Sequence, residues 1–541
     1  MHKRTVLTFA GILILMMGLI IRVFDIAGEG LSQAADRQQS VTVTVANARG
    51  TIYDSRLRPL VNSDMEYRAS VTAVPEAIAA ISPQLDEAAL RELTERLQGN
   101  RPAVVVLNKP ISPTNGVELF RVPKRYSSYT LSPHLLGYLD GDGLHGVTGI
   151  ELAFDDYLNE HGGKATVTYK VDAAGRPLQG ERTVINDTLD EAQAGVALTL
   201  DSDIQRIAEE ALKEHVSRGA AVVMDPYTGA ILSIASLPDF QPYNIADKLE
   251  RTDSPLLNRA LCNYNLGSVF KIASTATALE QRIPLSTQFT CRGGHTIGTL
   301  TLHCHNRLGH GSLDMMDAFA ESCNPYFIQL MLQAGGSSLY RMSTLFGFDR
   351  AIILAEGFKT ARAVLPSAEE LISPAAVANL SFGQGSLLAT PVHVAQMVAA
   401  VVNGGKIQRP NILKGYVDKA GNLTEQVLSP AQTAFSEQTA ATLRDMMIHV
   451  VENGTGNTAK PDNGGAGGKT GTAETGMLNE AGKSVVQSWF AGFYPAENPR
   501  YVVAVLAEDS GGTGGKSSPV FRDICNELYK LEQAAGGQGV A

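Results

Sequence analysis

The chain has 541 residues, of which 44% are hydrophobic and 18% are charged, and its formal net charge is −10. This length exceeds what one ordinary hydrophobic core accommodates, so we expect two or three folded domains and no long disordered stretch. The acidic balance supplies no basic surface for a nucleic acid, which excludes nucleic-acid binding as a function class.

The N-terminal segment predicts a membrane anchor. An uncharged apolar run ends at Ile21, and apolar residues continue beyond Arg22. We therefore expect a transmembrane segment over residues 5–26, preceded by a cytoplasmic stub of residues 1–4. The basic residues of the stub favour a cytoplasmic N-terminus, so we expect a single-pass protein of the cell membrane whose remainder is extracytoplasmic. A cleaved signal peptide, with "SQAA" (32–35) as a poor cleavage site, is the alternative.

Residues 40–190 predict a first module outside the membrane. Short strand-like stretches alternate there with one helical stretch, "SPQLDEAALRELTERLQ" (82–98). No constellation of polar residues in this region suggests chemistry. We interpret the module as a spacer or as a binding site for a partner.

Residues 196–535 predict a second domain of the α+β class. A strand and a capped helix come first, and the apolar strands "AAVVMD" and "AILSIAS" follow, joined by the turn "PYTG". A second pair of apolar strands, at 484–495 and 501–509, precedes a closing helix. The long segment between the two pairs is mostly helical in pattern. We therefore expect an antiparallel sheet assembled from both ends of the domain, with a helical block inserted.

The stretch "NYNLGSVFK" (263–271) places a hydroxyl and an amine one helical turn apart, at the start of a helix. On this spacing the Lys271 amine reaches the Ser268 oxygen, which is the geometry of an activated nucleophile. The amine is a poor base while it is charged, so Lys271 must be held neutral by burial and by a nearby positive charge. A lone SxxK motif is a weak signal.

Two further motifs support the interpretation that the SxxK motif marks a catalytic site. The stretch "SCN" supplies Ser322 and Asn324, and "KTGT" supplies Lys469 and the residues that follow it. The motifs SxxK, SxN and KTG occur in this order, once each. Their number and order resemble the penicillin-binding proteins and serine β-lactamases, in which the three motifs line one cleft.

Other stretches narrow the resemblance to the class B penicillin-binding proteins, which are monofunctional peptidoglycan transpeptidases. They are "ARGTIYD" (48–54), "HGVTGIELAFDDYL" (145–158), "NRA" (258–260), "FGQG" (382–385) and "GKTGTAE" (468–474). One departure is Leu266, where the family commonly has proline. The resemblance implies a penicillin-binding transpeptidase domain over 196–535, a mixed α/β pedestal or dimerisation domain over 40–190, and one transmembrane helix.

The resemblance also implies a reaction and a set of roles. A serine D,D-transpeptidase cross-links peptidoglycan stem peptides ending in D-Ala-D-Ala through an acyl-enzyme, and β-lactams acylate the same serine. Ser268 is then the nucleophile, Lys271 its base and Ser322 the group that passes a proton to the leaving amine. Lys469 supplies a positive charge close to Ser322 and Lys271, and Asn324 holds a backbone amide of the substrate.

The KTG strand is implied to bind the substrate as an added strand. The hydroxyls of Thr470 and Thr472 would hold the terminal carboxylate, and Gly471 would let the strand edge approach the peptide. The backbone N–H groups of Ser268 and Thr472 would form the oxyanion hole. The resemblance implies no required cofactor, and it implies a partner: a membrane-embedded glycan polymerase of the shape, elongation, division and sporulation (SEDS) family.

Two other functions fit an acylated serine. A β-lactamase needs a base that activates a deacylating water, but no "ExxLN"-like segment lies between Asn324 and Lys469, and "SAEELI" (367–372) imitates it weakly. A membrane-bound β-lactam sensor usually needs a cytoplasmic or multispan transducer, which four residues ahead of the span do not provide. Both are kept as alternatives to the transpeptidase.

A cluster of cysteines and histidines precedes the SxN motif. The stretch "CRGGHTIGTLTLHCHNRLGH" (291–310) suits a structural zinc site built from Cys291, Cys304 and one or two of its histidines. A Cys291–Cys304 disulfide and unlinked side chains fit equally well. Cys323 is interpreted as an inert packed side chain that faces away from the cleft. The histidines considered are His295, His303, His305 and His310.

Overall fold

The structure is a computed structural model, and it describes residues 2–27, 39–99, 101–478, 484–508 and 515–537. In chain order its helices are α1 (His2–Ala27), α2 (Pro75–Ile81), α3 (Glu87–Leu97), α4 (Pro133–Leu136), α5 (Gly149–Ala153), α6 (Asp155–Glu160), α7 (Ser202–His215), α8 (Lys271–Glu280), α9 (Met315–Ala320), α10 (Asn324–Ala334), α11 (Gly336–Leu345), α12 (Pro374–Leu380), α13 (Pro391–Val402), α14 (Glu437–Asn453) and α15 (Ser517–Gly537).

The strands form several sheets and hairpins. In chain order they are β1 (Ser40–Ala48), β2 (Thr51–Tyr53), β3 (Asp64–Val71), β4 (Ala103–Leu107), β5 (Val117–Lys124), β6 (Gly163–Lys170), β7 (Val184–Asp187), β8 (Gly195–Leu198), β9 (Gly219–Met224), β10 (Ile231–Leu237), β11 (Phe289–Cys291), β12 (Gly294–Ile297), β13 (Leu300–His303), β14 (Gly311–Leu313), β15 (Ile353–Ala355), β16 (Phe358–Lys359), β17 (Lys406–Ile407), β18 (Leu413–Val417), β19 (Leu423–Glu425), β20 (Gln432–Thr433), β21 (Gly467–Leu478), β22 (Ser484–Tyr494) and β23 (Tyr501–Ala507).

The chain divides into two compact units that are interleaved in sequence. The first comprises Met1–Gly50, Asn62–Arg125 and Glu160–Gln193, and the second comprises Thr51–Val61, Tyr126–Asn159 and Ala194–Ala541. The segment with β2 belongs to the second unit because β2 pairs in parallel with β8, in a sheet of order β19-β18-β8-β2. The domain limits 40–190 and 196–535 stay predictions.

The first unit contains two antiparallel sheets, of order β1-β6-β7 and β4-β3-β5. Helices α2 and α3 cover the second sheet, and their Ile81 and Leu93 are buried in one apolar cluster with Val71 of β3. Asp86 caps the N-terminus of α3: its carboxylate accepts a hydrogen bond from the Ala89 N–H at 2.8 Å and so satisfies a donor of the first turn.

Helix α1 belongs to the first unit. Its stretch Lys3–Asp25 is long and apolar enough, by length and composition, to cross a membrane. This agrees with a single-pass membrane anchor, although a signal sequence at this position has the same properties.

The second unit is built on a five-stranded antiparallel sheet of order β10-β9-β23-β22-β21. Strands β9 and β10 precede the helical block and the other three follow it. The predicted sheet assembled from both ends of the domain is therefore confirmed, and with it the α+β class.

Alternate side chains of this sheet pack on opposite faces. Val222 of β9 lies in one apolar cluster with helix α13, and every residue of α13 is buried. Val223, the next residue, lies in another cluster with Ile204 of α7 and Phe521 of α15. The sheet is therefore covered on both sides, which explains why its strands are continuous apolar runs rather than alternating ones.

Candidate active site

The predicted nucleophile stands in a 3-10 turn, Gly267–Phe270, that leads directly into α8. Side chains three residues apart eclipse each other in such a turn. Lys271 Nζ accordingly lies 3.0 Å from Ser268 Oγ. The contact predicted from the SxxK spacing is present.

Gly267 fixes the position of this turn between two other segments. Its φ is 57°, and an added Cβ would lie 2.5 Å from the backbone oxygen of Thr472 in β21. On the other side, the Gly267 N–H donates to the oxygen of Gly383 in the "FGQG" loop at 2.9 Å. Only glycine fits this conformation and this close approach.

Lys271 joins the SxxK and SxN motifs. Its fully buried amine lies 2.6 Å from the Ser322 carbonyl oxygen, 3.2 Å from Ser322 Oγ and 2.7 Å from Asn324 Oδ1. Burial lowers the pKa of Lys271 to about 7, because the charged amine loses its hydration. A neutral amine keeps a lone pair, so Lys271 can take the proton of the Ser268 hydroxyl.

The SxN turn is held in an unusual backbone conformation. Ser322 follows α9 and has a φ of 54°, in the left-handed region that non-glycine residues rarely adopt. The Cys323 N–H donates to the Ala318 carbonyl at 2.9 Å. Asn324 Nδ2 donates to the His303 carbonyl at 3.0 Å, and this bond turns Oδ1 towards Lys271.

Lys469 lies on β21, fully buried, with its amine 3.2 Å from the Thr470 carbonyl oxygen. Burial, and secondly repulsion by the Lys271 amine, hold the pKa of Lys469 well below its usual range. Burial is the main cause of the low pKa of Lys271, and the repulsion between the two amines is expressed in the low pKa of Lys469. Each amine also lies over an aromatic ring, Lys271 over Phe327 and Lys469 over Phe319.

The KTG motif lies on β21, one of the two edge strands of the five-stranded sheet. The hydroxyls of Thr470 and Thr455 are hydrogen-bonded at 2.9 Å. An added Cβ at Gly471 would lie 3.0 Å from Val269 Cγ1 and 3.1 Å from the Leu266 carbonyl oxygen. The structure thus gives a different reason for this glycine than the one expected: it lets β21 approach the turn that carries Ser268.

These groups border a cleft of about 800 Å³ in the second unit. Six of the eight predicted site residues line it, and Lys271 and Lys469 are buried behind its wall. Thr455 and Glu474 also line the cleft, and neither was assigned a role from the sequence. Thr455 belongs to no motif, and Glu474 is the last residue of the stretch "GKTGTAE" but lies outside KTG itself. The six that line the cleft are Ser268, Ser322, Asn324, Thr470, Gly471 and Thr472.

The cysteine and histidine cluster lies beside the SxN turn. The structure pairs none of the five cysteines in a disulfide. The donor atoms of Cys291, Cys304, Cys323 and His310 lie within 4.8 Å of one another. Cys323 is fully buried and does not line the cleft, as predicted for a packed side chain. Its proximity to the two other thiols was not predicted, and it results from the turn of residues 322–324. His295, His303 and His305 lie outside this group.

Comparison with known proteins gives the class of the fold and site. Residues 219–526, more than half of the chain, match the penicillin binding protein transpeptidase domain. The chain therefore belongs to the penicillin-binding protein family that carries this domain. This confirms the resemblance drawn from the motifs and the fold class.

Relatives of known name are similar over most of the chain. Stage V sporulation protein D of Bacillus subtilis is 32% identical over 75% of this chain and 63% of its own length. This chain thus spans less than two thirds of that relative. Peptidoglycan D,D-transpeptidase PbpA of Mycolicibacterium smegmatis is 32% identical over 60% of this chain and 71% of its own length.

Among solved structures, penicillin binding protein 3 of Mycobacterium tuberculosis in complex with ampicillin is similar to this chain. The TM-score is 0.66 and the sequence identity 25%, with 91% of this chain and 96% of the other covered. The relatives' names favour a transpeptidase over a β-lactamase or a sensor.

Proposed function

We propose that this protein is a serine D,D-transpeptidase that cross-links peptidoglycan stem peptides ending in D-Ala-D-Ala through an acyl-enzyme on Ser268. The observation that carries the proposal is the placement of one buried amine, Lys271 Nζ, against the hydroxyls of Ser268 and Ser322 and the amide of Asn324. The transpeptidase family of the chain and the name of its mycobacterial relative support it.

In the first half-reaction, neutral Lys271 takes the Ser268 proton while Oγ attacks the carbonyl carbon of the penultimate D-Ala. The negative charge that develops on the carbonyl oxygen is stabilised by the backbone N–H groups of Ser268 and Thr472. The peptide bond then breaks, and the proton passes from Lys271 through Ser322 to the nitrogen of the leaving D-Ala. The acyl group remains as an ester on Ser268.

In the second half-reaction, an amine of a neighbouring stem peptide attacks the ester carbonyl. Lys271 takes a proton from this amine, directly or through Ser322, and returns it to Ser268 Oγ as the ester bond breaks. A new peptide bond has formed, and the enzyme is regenerated without any cofactor. A β-lactam imitates the donor and leaves a stable ester on the same oxygen.

The edge of β21 provides the binding site for the donor peptide. An extended peptide adds to such an edge through main-chain hydrogen bonds. Thr470 and Thr472 place hydroxyls at the cleft for the terminal carboxylate, and Gly471 keeps the strand against the Ser268 turn. Asn324 Oδ1 has a second lone pair, which can accept from a backbone N–H of the donor.

We extend the proposal to the location and partners of the protein. Residues 5–26 anchor it by one transmembrane helix, with residues 1–4 in the cytoplasm and the catalytic domain outside, where peptidoglycan lies. The module 40–190 then serves as a pedestal on which a glycan polymerase of the SEDS family docks. A zinc ion at Cys291 and Cys304 would have a structural role only, because the acid–base groups named above are sufficient for the reaction.

Labelling with a fluorescent penicillin tests the proposed nucleophile. The native chain and Ser286→Ala, an exposed serine on the loop after α8, should be labelled equally, whereas Ser268→Ala should not be labelled. Labelling of Ser268→Ala at another residue would overturn the assignment. Rapid turnover of penicillin by the native chain would favour the β-lactamase, and slow release with cross-linking of a stem-peptide donor supports the transpeptidase.

A further inference from the structure

Four side chains near the catalytic cleft have the geometry of a zinc site. The sulfurs of Cys291, Cys304 and Cys323 and a ring nitrogen of His310 lie within 4.8 Å of one another. Cys304 Sγ lies 3.6 Å from His310 Nδ1. A thiolate and an imidazole bound to one tetrahedral Zn²⁺ are about 3.6 Å apart, given bond lengths of about 2.3 and 2.1 Å. The spacing therefore admits an ion at the centre of the four donors.

The chemistry of the four donors favours zinc over a disulfide. All three cysteines are buried and none is paired in a disulfide, and the Cys323 thiol contacts both Cys304 and Cys291. A disulfide would use two of these sulfurs and leave the third beside an imidazole. Three thiolates with one imidazole form a closed set for structural zinc, and sulfur donors select zinc over magnesium or calcium.

The surroundings of His310 supply a partner for its second nitrogen. Its Nε2 lies 3.9 Å from the Glu321 carboxylate. A carboxylate on this side of the ring favours the tautomer that carries hydrogen on Nε2, which leaves Nδ1 free to bind a metal. His305 is the nearest competitor, at 3.9 Å from Cys304 Sγ, but its nitrogens lie outside the group of four.

The four donors come from four segments that meet at the SxN turn. Cys291 ends β11, Cys304 follows β13 and His310 precedes β14. Cys323 stands between Ser322 and Asn324, the two residues that contact Lys271. A bond from Cys323 to an ion would thus fix the one residue that separates two site residues.

The SxN turn is also hydrogen-bonded to the neighbouring β12–β13 hairpin. Asn324 Nδ2 donates to the carbonyl of His303, the residue before Cys304. Ser322 holds a φ of 54°, a conformation that persists only where the surroundings determine it. A metal that joins Cys304 to Cys323 would provide this constraint.

We propose that Cys291, Cys304, Cys323 and His310 bind one Zn²⁺ ion, and that the ion holds residues 322–324 in the conformation that brings Ser322 and Asn324 to Lys271. Binding displaces the three thiol protons, so the site carries one net negative charge. All four positions are taken by protein donors, so the ion has no open position for substrate. The positioning role rests on the proposed function, whereas the metal site itself does not.

The metal content of the full-length chain tests the site. After purification in detergent without a chelator, elemental analysis should find about one zinc per chain. Ser268→Ala should contain the same amount while it loses penicillin labelling, which separates the metal site from the proposed reaction. A native chain that contains no zinc, and retains none after incubation with Zn²⁺ and gel filtration, would overturn the proposal.

Substitutions identify the ligands. Cys304→Ser and His310→Ala should lose bound zinc, whereas the controls Cys262→Ser and His295→Ala, which lie outside the group, should keep it. His310→Cys should also keep it, because four cysteines form an equally good zinc site. Zinc retained in both ligand variants, or lost equally in the controls, would contradict this ligand set.

The rate of acylation tests the positioning role. In His310→Ala the rate at saturating fluorescent penicillin should fall on the order of 10- to 100-fold, because displaced Ser322 and Asn324 leave the reacting groups misaligned. His310→Cys should restore the rate. Fluorescence of Trp489, the single tryptophan of the chain, reports whether the variants remain folded. Equal acylation rates in folded zinc-free and zinc-loaded protein would contradict the positioning role.

Discussion

At the scale of single residues, the reactivity of the site depends on one amine, that of Lys271, being removed from water. Lys271 is fully buried, and burial brings its pKa to about 7. Lys469 is buried too, and repulsion from Lys271 disfavours a charge on both amines at once. A lysine whose pKa is close to neutral pH can both accept and donate a proton, which an acyl transfer in two half-reactions requires.

The acylation rate should therefore follow the deprotonation of Lys271. The base is active when neutral, so the rate constant for penicillin should rise as the pH increases through about 7 and level off above it. A pH series of labelling rates measures this. A rate that falls across the same interval would mean that the charged amine is the active form.

The substitution Lys271→Arg tests the same point by chemistry. An arginine keeps the positive charge and cannot be deprotonated at these pH values, so it cannot act as the base. We expect the labelling rate to fall by about 100-fold or more. The control Lys359→Arg, an exposed residue on β16, should label as the native chain does.

At the scale of elements, the site is made by the contact between the turn before α8 and the edge strand β21. Two glycines, Gly267 and Gly471, allow this contact, since a Cβ on either would meet atoms of the other segment. Trp489 of β22 donates its indole N–H to the Asn265 carbonyl at 2.9 Å and connects the turn to the sheet a second time. The distance between the nucleophile and KTG therefore depends on backbone packing.

The substitution Gly267→Ala should separate these two segments. The added methyl meets the Thr472 carbonyl at 2.5 Å and the residue has a φ of 57°, so we expect a cost of about 1–3 kcal/mol and a large loss of labelling. Thermal unfolding followed by Trp489 fluorescence and the labelling rate measure the two effects.

Gly421→Ala is the matched control for this substitution. Gly421 has a φ of 82° but no atom within 4 Å of an added Cβ, so it carries the backbone strain without the clash. It should lower stability slightly and leave labelling intact. Equal labelling of the two variants would show that the close approach to β21 does not matter.

At the scale of the whole molecule, the chain combines an apolar N-terminal helix with a unit that contains the cleft. The stretch Lys3–Asp25 has the length and composition of a membrane span. We expect the intact mass of the protein from the membrane fraction to include residues 1–27. A mature protein that lacks them would instead support the cleaved signal peptide.

The fold was more predictable from the sequence than the contacts between distant parts of the site. The α+β class, the sheet built from both ends and the three motifs followed from the sequence, because apolar strand runs, turn residues and the SxxK spacing are local properties. The proximity of Cys323 to Cys291 and Cys304 was not predicted, because it depends on a turn whose left-handed residue, Ser322, has no local sequence signal. Thr455 was missed because it belongs to no motif, and only the fold places its hydroxyl beside that of Thr470.

The sequence by itself determined the kind of chemistry: a hydroxyl and an amine one turn apart, and two further motifs in a fixed order. Only the tertiary structure decided that the amine of Lys271 is buried and reaches the SxN turn 51 residues further along the chain. It also decided why Gly471 is a glycine and which side chains can hold a metal. The physical reason is that pKa and coordination depend on which groups share a volume from which water is excluded, and that is set by packing between distant segments.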